Sequence, residues 1–379
     1  MKQGLLILAL RMIVGSLLCM LLLTACISTP PHRPMAAHPQ AARGAEPVAY
    51  ESPDHIQLFA QWWNVSKANA VILIAHGTAL NSGFYEPLAR HFQQEGYAVG
   101  AIDFRGWGQS GGLSARRGYI GNYDEYVEDF TQLANDARVR YPGKKIFLLG
   151  ESMGGTIVLL SQIEHAIACD GLILSAPAVR ANPGLSGSHL PHAMMAPVMW
   201  SGKVMGEVFP GLPLLPIWKP ELNQIFFDQD ARERFIHDPY NTHTWLPASY
   251  VNGIYDAMYR VKTQADKITT PILILQGDRD SLVPVDSSEY LCQAVNSQDR
   301  SLIVYEGMSH AALHDYGRES LWGDIDHWLD FRLKNQGTIT YNGCPLLVHD
   351  LKPPHLPYWV HQHWFHHKKT TTKPSSAAG

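Results

Sequence analysis

A serine stands between glycines in Gly150-Glu151-Ser152-Met153-Gly154, at the junction of the apolar run KIFLLGE (145–151) and a second apolar stretch, TIVLL. The pattern G-x-S-x-G between a strand and a helix is what a nucleophile elbow requires, because the glycines let the chain turn sharply and lift the hydroxyl clear of the sheet. A serine hydroxyl is a weak nucleophile at neutral pH, so it needs a base, and the base needs a group that orients it. Both follow Ser152 in the chain. PILILQG leads into Asp278-Arg279-Asp280, and SLIVYEG leads into Met308-Ser309-His310. This order predicts that His310 takes the Ser152 proton and that one of the two aspartates holds the imidazole. Charge developing on a substrate oxygen needs backbone N–H donors. Thr78, in His76-Gly77-Thr78 after the run AVILIA, and Met153, after the serine, are the candidates. His76 precedes the serine and is expected to brace its loop rather than act as the base.

These residues must be carried by regular elements. AVILIAH (70–76), YAVGAID (97–103), KIFLLGE (145–151), GLILSAP (171–177), PILILQG (271–277) and SLIVYEG (301–307) are short continuous apolar runs bounded by Gly, Pro or Asp. Such runs suit strands covered on both faces. Between them lie helical patterns. Tyr123, Tyr126, Val127, Phe130, Leu133, Ala134 and Ala137 recur at steps of three and four, and Pro142 follows the last turn. The alternation predicts an α/β fold with a mostly parallel sheet and helices on both faces. The Pro-, Met- and aromatic-rich segment at about 178–245 breaks the rhythm and is too long for a structureless loop, so an inserted cap is expected there.

The chain has 379 residues, 46 % hydrophobic and 17 % charged, with a formal net charge of −4. That is enough apolar material for a sizeable core, and no basic stripe points to nucleic acid. Residues 1–25 hold an apolar stretch after a basic start and end in Leu23-Thr24-Ala25, directly before Cys26. This describes an export signal, or alternatively an uncleaved membrane anchor. Residues 26–47, rich in Pro and Ala, read as a tether. Cys169, Cys292 and Cys344 are scattered and odd in number, suggesting neither a metal site nor a disulfide framework, with Cys169 and Cys292 as small buried side chains.

From about Tyr50 to Leu333 the chain resembles the monoacylglycerol lipase and lysophospholipase group of α/β-hydrolases, which is also grouped with serine aminopeptidases. The resemblance is carried in order by HGTALNSGFYEPLARHFQQEGYAVGAIDFRGWGQSGG, YVEDF, LLGESMGG, LILSAPAVRANP, ILILQGDRDSLVP and YEGMSHAALHD. It implies an α/β-hydrolase domain over 48–335, with Ser152 as nucleophile, His310 as base, Asp280 rather than Asp278 as the acid, and Thr78 and Met153 as the oxyanion hole. Asp103, Arg105 and Gly106 match a D-x-R-G turn expected to brace the site. The small-small-Cys ending resembles a bacterial lipobox, which implies lipidation of Cys26 and a membrane-anchored lipoprotein of the cell envelope. The chain departs from the family at Leu80-Asn81, where an acid and a histidine are frequent, and at Trp107 and Glu151, where a histidine is common.

Met194, Met195, Met199, Met205, Trp200, Phe209, Trp218, Phe226 and Phe227 make the cap apolar. A single-chain lipid ester, monoacylglycerol or lysophospholipid, is therefore the expected substrate, cleaved with no metal or organic cofactor. Two alternatives stand beside it. An aminopeptidase would recognise a free amine through cap acids such as Glu207, Glu221, Asp228, Asp230 and Glu233, and a catalytically silent lipid-binding lipoprotein would need no triad. The extension 336–379 is expected to be a strap followed by a loose tail, rather than a metal site at His355, His361, His363, His366 and His367 or a surface that touches a membrane interface or partner through Trp359, Trp364, Phe365, Lys368 and Lys369.

Overall fold

A computed structural model of the chain describes residues 32–180, 207–216, 222–241, 245–334, 344 and 346–349. Cys26, the leader, the methionines and tryptophans at 194–205 and 218, Glu221 and the histidine-rich tail lie outside the described residues.

The six apolar runs form β3 (Val71–Ala75), β4 (Ala98–Ile102), β5 (Ile146–Glu151), β6 (Gly171–Ser175), β9 (Ile272–Gly277) and β10 (Arg300–Tyr305). Every residue of β3, β4, β5, β6 and β9 is buried, as strands covered on both faces must be. An antiparallel hairpin, β1 (Glu46–Glu51) and β2 (Gln57–Trp63), adds one edge through β4. With β11 at Leu346–His349, the order is β1-β2-β4-β3-β5-β6-β9-β10-β11, and the strands from β4 onward run parallel.

Helices α1 (Glu86–Gln94), α2 (Asp124–Arg140) and α3 (Met153–Ile163) cross over between β3, β4, β5 and β6. On α2 the stripe Tyr126, Val127, Phe130, Leu133, Ala134 and Ala137 is buried at the spacing read from the sequence. All eleven residues of α3 are buried, the expected state of a helix apolar on every side. After β3 the chain moves to β4 on one side and returns to β5 on the other. Their carboxyl ends therefore form a topological switch point, where open α/β sheets place their crevice. Ala75 pairs with Gly150 across it, so the loop after β3 and the serine elbow after β5 leave the sheet side by side.

Between β6 and β9 the described residues form β7 (Pro213–Pro216), a four-residue turn α4 (Leu222–Ile225), α5 (Gln229–His237), β8 (Trp245–Pro247) and α6 (Ala248–Gln264). The inserted structure extends past the expected boundary at 245, because β8 completes a two-stranded ribbon with β7 and α6 continues directly from it.

Three further expectations are corrected. Residues 32–45 are not a free tether. Arg33 exchanges backbone hydrogen bonds of 2.9 Å with Gly112, and its guanidinium donates to the Gly106 and Gly108 carbonyls at 3.2 and 2.8 Å. Gln40 and Gln109 exchange a reciprocal pair at 2.7 and 2.8 Å. The prolines remove donors, but the residues between them keep theirs and spend them on the loop. The hydrolase domain does not end at 335 either. Leu346–His349 form β11, parallel to β10, and cover an edge that would otherwise present unpaired backbone. Finally, Cys292, on α7 (Val285–Ala294), is bonded to Cys344, with Cα atoms 5.8 Å apart. The partner lies 52 residues away in a segment without periodic signal, so cysteine spacing alone did not reveal it. Cys169 is a free thiol, pushed up to about 12 by burial.

The 52-residue loop closed by the disulfide corresponds to a chain-entropy contribution of roughly 4 kcal/mol as an upper value. Replacing Cys344 with Ser is expected to lower the melting temperature, with about half of that value lost, while activity at 25 °C persists. Melting with and without reductant checks it, since reductant should lower the wild type and leave the variant unchanged.

Candidate active site

The elbow is built by close approach. Ser152 has φ +52° and ψ −111°, and it sits at the N-terminus of α3. A residue other than glycine in this region of backbone space carries strain of about 1–3 kcal/mol. It is held by three backbone bonds: Ser152 N–H to Ser175 O at 2.9 Å, and Ala178 and Thr156 N–H to Ser152 O at 3.1 and 3.3 Å. A Cβ on Gly150 would lie 2.5 Å from the Gly154 carbonyl oxygen, and one on Gly154 would fall onto the carbonyl of Ala75. The first turn of α3 therefore reaches β3 only because both positions are glycine.

Beyond β9, Asp280 turns back toward the sheet. Its Oδ1 accepts from the Leu282 and Val283 N–H groups at 2.8 and 2.9 Å, and its Oδ2 accepts from Gln276 Nε2 at 2.9 Å. The same Oδ2 lies 2.7 Å from His310 Nδ1, so Nδ1 carries the proton and Nε2 is left as the basic nitrogen. Burial by itself would lower the His310 pKa. The charge and hydrogen bond of Asp280, with the charge of Glu151, outweigh it and hold His310 above its ordinary value. Asp278 is engaged elsewhere. Its Oδ1 accepts from Gly307 N–H at 2.7 Å, which closes the turn after β10. The alternative that the residues alone left open is thus resolved by geometry.

Ser152 and His310 line one cavity of about 190 Å3 together with Gly77, Thr78 and Glu151. A Cβ on Gly77 would lie 3.7 Å from Ser152 Cβ, which places the loop after β3 against the elbow. The rest of the wall is apolar: Leu215, Leu222, Ile225, Phe226, Leu246, Val251, Ile254, Met258 and Val283 among others. Of the cap residues singled out from the sequence, Phe226 lines it.

Bracing through Tyr250 was not legible in the sequence. The Thr78 hydroxyl bonds to the buried Tyr250 hydroxyl, and Trp107 meets the Tyr250 ring edge to face at 5.3 Å while donating to Tyr126 OH at 2.8 Å. His76 is fully buried. Its Nδ1 donates to Gly77 O at 2.8 Å and its Nε2 accepts from Phe104 N–H at 3.2 Å, and burial pulls its pKa down to about 4. A neutral histidine with both nitrogens engaged is a brace. Arg105 and Asp103 brace the turn through separate partners. Arg105 grips Asp129 of α2, with Nη2 at 2.6 Å, and reaches Asp54 at 2.8 Å, whereas Asp103 accepts from Ser82 and Gln109 N–H at 2.6 and 2.7 Å. Burial raises the Asp103 carboxyl to about 6 against those two bonds. At the departure Leu80-Asn81, Leu80 lines the cavity and Asn81 Nδ2 donates to Asp238 and Asn241 of the cap, both at 2.8 Å.

Two of the cap acids considered for amine recognition, Asp228 and Glu233, are engaged by other residues. Asp228 caps α5 through Ala231 N–H at 2.8 Å and pairs with Arg318 at 3.2 Å, and Glu233 pairs with His237 at 3.3 Å. Among the described residues, neither they nor Glu207 and Asp230 line the cavity.

The model of the family "serine aminopeptidase, S33" matches residues 66–317. The human monoglyceride lipase is 31 % identical over 308 residues, covering 79 % of this chain and 97 % of the relative. The chain belongs to this family. Its relatives include the monoacylglycerol lipase of Mycolicibacterium smegmatis, 30 % identical over 269 residues, which cover 71 % of this chain and 90 % of that one. The crystal structure of Paleococcus ferrophilus monoacylglycerol lipase superposes with a TM-score of 0.61 at 26 % identity, over 72 % of this chain and 98 % of its own. A soluble variant of the Saccharomyces cerevisiae monoglyceride lipase, at 18 % identity and a TM-score of 0.66 over 80 % of this chain, shares the fold. The fold is that of the α/β-hydrolases, and the chain is a carboxylic ester hydrolase of the monoacylglycerol lipase group.

Because His310 must be neutral to accept a proton and its pKa is raised, activity is expected to fall as pH drops through a value above about 6.5. Asp280→Asn should lower kcat by about four orders of magnitude, and Asp278→Asn should leave kcat within about tenfold. A kcat/KM profile from pH 5 to 9 for the three proteins checks both; equal losses in the two variants would contradict the geometry.

Proposed function

We propose that the protein cleaves monoacylglycerols and related single-chain lipid esters through an acyl-serine intermediate. The observation that carries this reading is that Ser152 and the Asp280-oriented His310 open onto one predominantly apolar cavity. Ser152 Oγ attacks the ester carbonyl carbon while His310 Nε2 takes its proton. The tetrahedral oxyanion is met by the Thr78 and Met153 N–H groups. Collapse breaks the bond to the alcohol oxygen, which leaves with the proton from His310. Water then enters, gives a proton to His310 and attacks the acyl carbon, and the second collapse returns that proton to Ser152 with release of the fatty acid. The acyl chain occupies the wall of Leu, Ile, Phe, Val and Met side chains. The relatives named as monoacylglycerol lipases support glycerol as the head group; lysophospholipid is the second ester to test.

The exported, Cys26-lipidated form belongs to the same proposal. Among the described residues no helix is long and apolar enough to cross a membrane. The leader ending before Cys26 supports a lipid anchor in a bacterial envelope. The Cys292–Cys344 bond supports export, since disulfides persist chiefly in oxidising compartments.

A form beginning after Cys26 is expected to release fatty acid from monoacylglycerol, and Ser152→Ala should abolish release to about a millionth of the wild-type kcat or less. Activity confined to aminoacyl anilides would replace the ester reading with a peptidase one. Radiolabelled palmitate incorporated in a bacterial host and lost in Cys26→Ser would support the anchor; equal labelling would exclude it.

A further inference from the structure

The reaction above assigns no part to Glu151. It is the last residue of β5, directly before Ser152, and its side chain is 3 % exposed. A buried carboxylate is costly unless it is bonded, and this one is bonded on two sides. Its Oε2 accepts from the hydroxyl of Tyr85 and lies 3.2 Å from Nε2 of His314. Tyr85, fully buried at the end of the single helical turn Ser82–Tyr85, accepts the Gly77 N–H at 3.0 Å on the same hydroxyl. His314 stands four residues after His310 and is stacked edge-on between Phe84 and Tyr85, with ring centroids 4.7 and 4.9 Å away.

We propose that Glu151 is a positioning residue that fixes the Gly77-Thr78 loop through Tyr85 and the His310 loop through His314, holding both against the Ser152 elbow. The inference rests on the serine-hydrolase reading and deepens it.

The direction of each bond follows from charge. Burial pushes the Tyr85 phenol well above its ordinary value, and the Glu151 charge and hydrogen bond push it further, so it stays protonated. Its single proton is committed to Glu151, which leaves its oxygen to accept the Gly77 N–H and so set the His76–Gly77 peptide, the one before that carrying the Thr78 N–H. Burial would raise the Glu151 carboxyl. The charge and bond of His314, the Tyr85 bond and the charge of His310 outweigh it and hold Glu151 below its ordinary range. The carboxylate therefore stays ionised over the working pH. The groups facing it are Tyr85 and His76 from the β3 side and His310 and His314 from the loop after β10, and those facing His310 are Asp280 and Glu151. A glutamine at 151 keeps an acceptor for Tyr85 and removes the charge.

The test compares wild type, E151Q and Y85F, each starting after Cys26, in the hydrolysis of a soluble monoacylglycerol, with kcat, KM and the pH profile read separately. E151Q is expected to lose about tenfold in kcat with KM within about twofold, and to move the acid limb of kcat/KM downward by about half a pH unit. Y85F should lose about tenfold in kcat with the limb in place, since Glu151 remains. Wild-type kcat and an unmoved limb in E151Q, or losses confined to KM in both variants, would overturn the inference. If E151Q does not fold, Y85F decides alone: retained wild-type kcat overturns it. Failure of the wild type to show Ser152-dependent hydrolysis would instead overturn the serine-hydrolase reading itself.

Discussion

The structure depends on the close approach of the first turn of α3 to the end of β3. Gly154 sits so near the Ala75 carbonyl that no side chain fits, and Gly150 presses on the same turn from β5. This contact brings the strained Ser152 backbone over the sheet and aligns the loop after β3 beside it. The buried, all-apolar α3 and the strand pairing around Ala75 and Gly150 supply the restraint. Strain of this size persists only where surrounding structure over-determines it. The presentation of Ser152 to the cavity is a consequence of that restraint.

A second constraint is electrostatic. The site is apolar, yet Glu151, Asp280, His310 and His314 lie in or beside it. Each is tolerated because it meets hydrogen-bond partners: Asp280 takes two backbone N–H groups and Gln276 besides His310. The nearby carboxylates make His310 a better base than burial alone would allow. The apolar wall can then serve the substrate while the polar groups serve one another.

Much of the site was legible from sequence for a physical reason. Buried strands appear as apolar runs, and residues at strand ends fall where the chain must leave the sheet, so Ser152, Asp278-Asp280 and His310 could be placed before any coordinates. The hairpin β1–β2 was not, because EPVAYE and QLFAQWW mix polar residues into short strands on the sheet's edge. β11 and its disulfide carried no periodic signal. Segment 32–45 has the composition of a linker, whereas Arg33 and Gln40 decide its state through contacts with residues more than sixty positions away.

Local pattern thus determined the fold class, the order of the reacting groups and the apolar character of the cap, since each follows from which residues are neighbours in the chain. Tertiary structure showed that Asp280 reaches His310, which residue spacing left open and the resemblance implied, and it alone decided that Arg105 grips Asp129, that Cys292 finds Cys344, and that Glu151 ties Tyr85 to His314. These are pairings of specific atoms across strands and loops. They depend on register and on the direction each side chain takes, which residue type and spacing leave open.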